Sequence, residues 1–254
     1  MAIIGGDQSM VGAVLLAARA ALLSGAGRVY AAMLSENAPV VDVRYPEIMM
    51  RSPAALRQLS QLDCVVIGPG LGQSEHAIAQ LEFWLPQPRA MLLDADALNL
   101  VARYPRLAQL VKARQAATII TPHAGEAARL LECSVEEIQR DRAGSALKLA
   151  EALNVICLLK GAGTICAHTD GRCFINSTGN PALASGGTGD VLSGVIAGLL
   201  VQGLNALDAV KLGVYVHGAA ADALVAKGVG PVGLTASEVA IEVRSVINQL
   251  NNGG

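Results

Sequence analysis

Residues 178–203 read TGNPALASGGTGDVLSGVIAGLLVQG and split into two halves of opposite character. Up to Gly189 the stretch is glycine-rich and offers almost nothing to fill a core, whereas the apolar run that follows has the length of a helix. This pattern is a loop feeding a helix start. Gly186, Gly187, Thr188 and Gly189 leave backbone N–H groups uncovered, and the helix aims its unpaired amides and positive dipole end at the same point. Together they make a site for a phosphate.

Asp190 stands where a P-loop places its lysine, and G-x-x-x-x-G-K-[ST] occurs nowhere in the chain. An acid there repels phosphate, so it needs a reason. One reading makes Asp190 a helix N-cap, a common use of aspartate. The other makes it the base that deprotonates a phosphate-accepting hydroxyl beside the anion hole. The loop carries more glycine than a cap requires, which favours the base.

Working outward, the same theme recurs at other strand ends. Residues 64–67 form a buried strand that runs into Gly68-Pro69-Gly70-Leu71-Gly72, and residues 74–85 continue as a helix capped by Ser74. A strand at 91–93 leads to Asp94 and Asp96, which share a face if the strand persists, or cap a helix at 97–103 if it does not. A strand at 118–120 ends in Thr121-Pro122-His123, with Glu126 opening the next helix. The strand at 155–159 ends in Lys160-Gly161-Ala162-Gly163-Thr164.

The remaining elements complete an alternation. Residues 2–4 are a strand, 11–23 an Ala/Leu helix, 28–34 a strand and 54–62 a helix, with 35–53 left unassigned between prolines. A long helix is expected over 135–152. Strands at 165–168 and 173–176 flank Asp170-Gly171, a hairpin turn. Helices at 191–204, 206–227 and 237–248 close the chain, and Gly194 and Gly198 let one of them approach a neighbour closely.

Strands alternating with helices predict one α/β domain over residues 1–254. Its expected form is a three-layer α/β/α sandwich around a mostly parallel central sheet with a late antiparallel hairpin. The hydrophobic content of 52% with 3% aromatic residues suits such a sheet better than a stacking surface for nucleic acid. A formal charge of −2 invites neither nucleic acid nor an anionic membrane. Five cysteines without a C-x-x-C indicate no disulfide framework and no zinc site. With no basic n-region at the N-terminus, the expected location is cytoplasmic.

GPGLG, LDADALN, TPHAGE, KGAGT and GNPALASGGTGDVLSGVIAGLL follow one another in this order. With them, the sequence resembles the ADP/ATP-dependent NAD(P)H-hydrate dehydratases of the ribokinase-like superfamily, over nearly the whole chain. The resemblance implies repair of hydrated NADH or NADPH: the ring hydroxyl is phosphorylated by ADP or ATP, and phosphate is then eliminated. It implies that Asp190 is the catalytic carboxylate and that Gly187, Thr188 and Gly189 supply anion-hole amides. Lys160, Gly161, Ala162, Gly163, Thr164 and Gly189 would bind the nucleotide, with Mg²⁺ expected on its phosphates and no metal held by protein side chains alone. Ala13, Gly70, Gly72, His123 and Asp190 would line the hydrate site, with Asp96 and Asn180 nearby.

The resemblance further implies a homotetramer and an NAD(P)H-hydrate epimerase as functional partner, either a separate chain or the front part of a longer one. Asp7 departs from the family pattern, replacing a usual serine and bringing charge toward a phosphate-rich ligand. The alternative is a small-molecule kinase of the same superfamily acting on a vitamin precursor or sugar, whose product stays phosphorylated.

Overall fold

Strand residues alternate between two apolar environments. Ile4, Ile67, Leu93 and Leu159 belong to one buried cluster, and Ile3, Val66, Leu92 and Leu158 to another. A period of two with both faces apolar is the signature of a sheet covered by helices on each side. The computed structural model, which describes residues 1–252, has this architecture.

Nine strands form one sheet. They are β1 (Ala2–Gly5), β2 (Tyr30–Met33), β3 (Met49–Arg51), β4 (Cys64–Ile67), β5 (Ala90–Leu93), β6 (Thr118–Ile120), β7 (Ile156–Leu159), β8 (Ile165–Ala167) and β9 (Cys173–Ile175). Their order is β3-β2-β1-β4-β5-β6-β7-β8-β9. All pairs through β7 are parallel, and β8 and β9 add antiparallel, as the Asp170-Gly171 turn predicts.

One face is covered by α2 (Pro53–Arg57), α3 (Glu75–Trp84), α4 (Asp96–Arg103), α5 (Pro105–Lys112), α6 (Ala124–Leu130), α7 (Val135–Arg140) and α8 (Arg142–Leu153). On the other lie α1 (Val11–Leu23), α9 (Thr188–Leu200) and α10 (Ala206–Ala226), with α11 (Ala236–Asn252) packed outside them. By length and composition α10 passes as a membrane span. Here it is a core helix that buries Leu207, Val210, Val214 and Leu224.

The packing of α1 on α9 depends on Gly194. A Cβ there would lie 2.1 Å from the Ala17 carbonyl oxygen, so glycine alone permits this approach, and Gly198 continues it at 2.9 Å from the Ala21 carbonyl. The i, i+4 glycine spacing thus does what the sequence suggests.

The structure redraws several of these elements. The helix expected over 135–152 is two helices, because Asp141 leaves helical geometry at φ −139° and its carboxylate accepts from the Gly144 N–H at 2.8 Å, capping α8. The helix expected over 54–62 stops at Arg57. The unassigned stretch 35–53 contains the edge strand β3, and α5 follows α4 after a break at Pro105. Neither reading of Asp94 and Asp96 holds, since Ala95 sits at φ +49°, ending the strand, and α4 begins at Asp96 with no side-chain cap. Finally, α9 begins at Thr188 rather than at residue 191.

Candidate active site

Every parallel strand ends on the same side of the sheet, and the turns that leave β1, β4, β5, β6 and β7 meet there with the N-terminus of α9. Open α/β sheets bind ligands along this edge. Gly187 is the N-cap of α9 in the left-handed region at φ +88°, with no side-chain cap. Such a backbone presents the first-turn amides bare. Thr188 fixes the loop behind them, its Oγ1 lying 2.7 Å from the Leu183 carbonyl and 2.9 Å from that of Ser185.

Asp190 is therefore three residues into the helix and is no N-cap, which removes the structural alternative for it. Burial pushes its carboxyl up, Asp94 and Asp96 push it further, and Lys160 pulls the other way. The outcome is a pKa of about 7. A carboxylate tuned this way suits proton transfer near neutral pH.

The cation missing from the loop comes from the end of β7. A Cβ on Gly189 would lie 3.5 Å from the Lys160 Nζ. Lys160 donates to Asp94 Oδ1 at 2.7 Å and lies 4.0 Å from Glu126 Oε2. The second Asp94 oxygen accepts from Ser193 Oγ at 2.8 Å, reaching α9 one turn past Asp190. Burial disfavours the Lys160 ammonium, but Asp94, Glu126 and Asp190 outweigh it and raise its pKa. Burial also lifts the Glu126 carboxyl to about 7, against the pull of Lys160.

Sequence reasoning names Asp94 and Glu126 only as strand-end or helix-start acids, and does not single out Ser193. Their partners are distant in the chain. The remaining signal was LDADALN itself, two acids where one cap would suffice.

Of the residues expected at the hydrate site, several converge. Ala13 packs against Gly70, where a Cβ would come within 3.3 Å of its own. The Gly72 N–H donates to Asp96 Oδ2 at 2.9 Å. Asp7 also lies against Gly72, with its Oδ2 2.3 Å from where a Cβ would stand. His123 forms a capping box with Glu126: its Nδ1 accepts from the N–H groups of Gly125 and Glu126, and Glu126 Oε2 accepts from the His123 N–H. Burial and the charges of Lys160 and Arg129 lower its pKa. Asn180 caps a 3₁₀ turn at Pro181–Ala184 and donates to Asp222 Oδ1 at 2.8 Å. It is built into the loop that enters α9.

The loop of Lys160, Gly161, Ala162, Gly163 and Thr164 has an anchor that sequence reasoning missed. The Arg142 guanidinium donates to the carbonyls of Ala162 at 2.8 Å and of Leu159 and Gly163 at 3.3 Å. Thr164 Oγ1 closes the turn on the Gly161 carbonyl at 2.9 Å. Behind α9, His217 is buried with its Nε2 unpartnered among the described residues, and burial lowers its pKa to about 4.

The family model described as NAD(P)H-hydrate dehydratase matches residues 1–242. The chain belongs to this family. Among NAD(P)H-hydrate dehydratases, the ADP-dependent (S)-NAD(P)H-hydrate dehydratase of Neisseria meningitidis is 36% identical over 98% of this chain and 85% of its own length. The bifunctional NAD(P)H-hydrate repair enzyme of Escherichia coli is 43% identical over 98% of this chain and 47% of its own. The chain thus spans about half the length of that enzyme and of the Coxiella burnetii one, at 50%. The Bacillus subtilis ADP/ATP-dependent NAD(P)H-hydrate dehydratase, co-crystallised with ATP/Mg²⁺, superposes with a TM-score of 0.86 at 34% identity, covering 98% of this chain and 88% of that one. Since a ribokinase-like superfamily protein of Enterococcus faecalis aligns at a TM-score of 0.81 and 26% identity, the expected ribokinase-like fold holds. A hydroxyethylthiazole kinase at 16% identity shares the fold alone.

Proposed function

We propose that the chain is an ADP-dependent NAD(P)H-hydrate dehydratase, converting hydrated NADH or NADPH and ADP into NAD(P)H, AMP and phosphate. The observation that carries this reading is Asp190, a half-buried carboxylate raised to about 7, in the first turn of a helix whose amides have no side-chain cap. Family membership supplies the substrate class.

Asp190 takes the proton of the ring hydroxyl as that oxygen attacks the terminal phosphorus of ADP. The bond from this phosphorus to its bridging oxygen breaks, and AMP leaves. The amides of Gly187, Thr188 and Gly189, with Lys160, meet the charge on the transferred group. Hydroxide is a poor leaving group and phosphate a good one. The ring nitrogen's lone pair expels phosphate, and loss of a proton from the adjacent carbon restores the dihydropyridine.

Lys160, Gly161, Ala162, Gly163, Thr164 and Gly189 hold the nucleotide in this reading. Ala13, Gly70, Gly72, Asp96, His123 and Asn180 line the hydrate. The oxygen donors of the cleft suit a hard cation, and Mg²⁺ enters on the phosphates of ADP as part of the substrate. A homotetramer, a cytoplasmic location and an epimerase partner complete the proposal, the last supported by the bifunctional relatives.

Hydrated NADH incubated with ADP and the chain should regain absorbance at 340 nm with release of AMP. A product that keeps its phosphate would instead mark a kinase, and no turnover of either hydrate with ADP or ATP would refute the reading.

A further inference from the structure

The cleft is short of positive charge for the ligand it is proposed to hold. Asp94, Asp96, Glu126 and Asp190 face a single lysine there. A hydrated dinucleotide brings a pyrophosphate, and the NADPH form adds a 2′-phosphate. These groups must extend beyond the acids to a place where cations are uncommitted.

Such a place adjoins the hydrate side of the cleft. An open pocket of about 380 Å³ is lined by Gln73, Asn99, Ala102, Arg103 and Arg129. It begins one residue past Gly72. Asn99 joins it to the cleft floor, its Nδ2 3.4 Å from Asp96 Oδ1 and its Oδ1 accepting from Arg129 Nη1 at 2.9 Å. Arg103 lies at the C-terminus of α4, its guanidinium carbon 5.5 Å from the Tyr104 ring centroid. Among the described residues neither arginine forms an ion pair with a carboxylate. The charge of Arg129 reaches His123 and Glu126, so the pocket and the cleft share one electrostatic field.

We infer that the Arg103–Arg129 pocket binds a phosphate group of the hydrated dinucleotide, holding it by the guanidinium forks while the ring reaches Asp190. Arginine is the side chain suited to bidentate phosphate contact, and Gln73 and Asn99 add neutral donors around it. The inference rests on the proposed function. It adds where the adenosine half of the substrate is held.

The test is the pair of variants Arg103→Gln and Arg129→Gln, assayed at 340 nm with each hydrate and, separately, with ADP varied. Loss of a charge-assisted contact raises the KM for the hydrate by about tenfold, with kcat within about twofold. A rise for both hydrates places the pyrophosphate in the pocket, and a rise for the NADPH hydrate alone places the 2′-phosphate there. Unchanged KM for both hydrates, or a rise in the KM for ADP instead, overturns the inference. Calorimetric titration with NADP⁺ and NAD⁺ reads the pocket without turnover. If wild type binds them and the arginine variants do not, the pocket stands even should the hydrate assay fail. Equal binding by wild type and variants would overturn it.

Discussion

Two cations, Arg114 buried and Lys160 half-buried, sit at opposite edges of the same sheet, and they are satisfied in different ways. Arg114, before β6 on the edge where the parallel strands begin, donates to the carbonyls of Leu85, Gln87 and Arg89 and to Thr118 Oγ1 at 2.8 Å. It ties the approaches to β5 and β6 together with neutral acceptors and leaves no donor directed at a ligand. Lys160, on the edge where those strands end, is surrounded by carboxylates, one of which, Asp190, accepts no side-chain hydrogen bond among the described residues and has a pKa of about 7. A saturated buried charge holds a fold; an unsaturated cluster is poised for chemistry.

Asp190→Asn tests this contrast most severely. It should lower kcat by about 10²–10⁴, the usual contribution of a positioned base, while nucleotide affinity by calorimetry stays near wild type. Near-normal turnover would remove Asp190 from the mechanism. At the other edge, Arg114→Met should cost about 3 kcal/mol of stability, since it orphans the buried Leu85 carbonyl and the half-buried carbonyls of Gln87 and Arg89 at roughly 1–3 kcal/mol each. The KM values of the protein that remains folded should not move. Denaturant melts and steady-state kinetics on one preparation separate the two, and a large KM change would erase the division of labour between the edges.

The pH profile sharpens the comparison further. A base with a raised pKa is active only when ionised, so kcat/KM should fall about tenfold per unit below the Asp190 pKa of about 7 and level off above it. An acid limb near pH 4 would show that the carboxylate is not buried as described. The smallest expected effect is that of Arg142→Ala, which should raise the KM for ADP by about tenfold through loss of loop order, with the KM for the hydrate unchanged. An equal rise in both would make Arg142 a general support and not an anchor of the nucleotide loop.

What could be read in the chain beforehand follows from how local each feature is. The boundaries of α1, the bare turn before α9 and the close helix approach at Gly194 are written in consecutive residues or in i, i+4 spacing, and all three stand. The break at Asp141 was hidden because no glycine or proline interrupts Gln139-Arg140-Asp141-Arg142 to mark it, and a cap is recognisable only once the backbone bends there. The edge strand β3 was masked by prolines on both sides. The ion pair of Lys160 with Asp94 spans 66 positions and the Ser193 contact spans 99, so no window of sequence contains either. Glu126 was legible as the opener of α6, but its burial beside Lys160 belongs to the fold.

The glycine seam between α1 and α9 also limits how the protein can change. Ser193 and Asp190 ride on a rail pressed to within backbone contact of its neighbour, so the rail has no room to slide or roll. A chain of this design can acquire a new acceptor alcohol only by rebuilding the rim, through segments such as those around Asp7, Gln73 and Arg129, while the proton-taking group keeps its station.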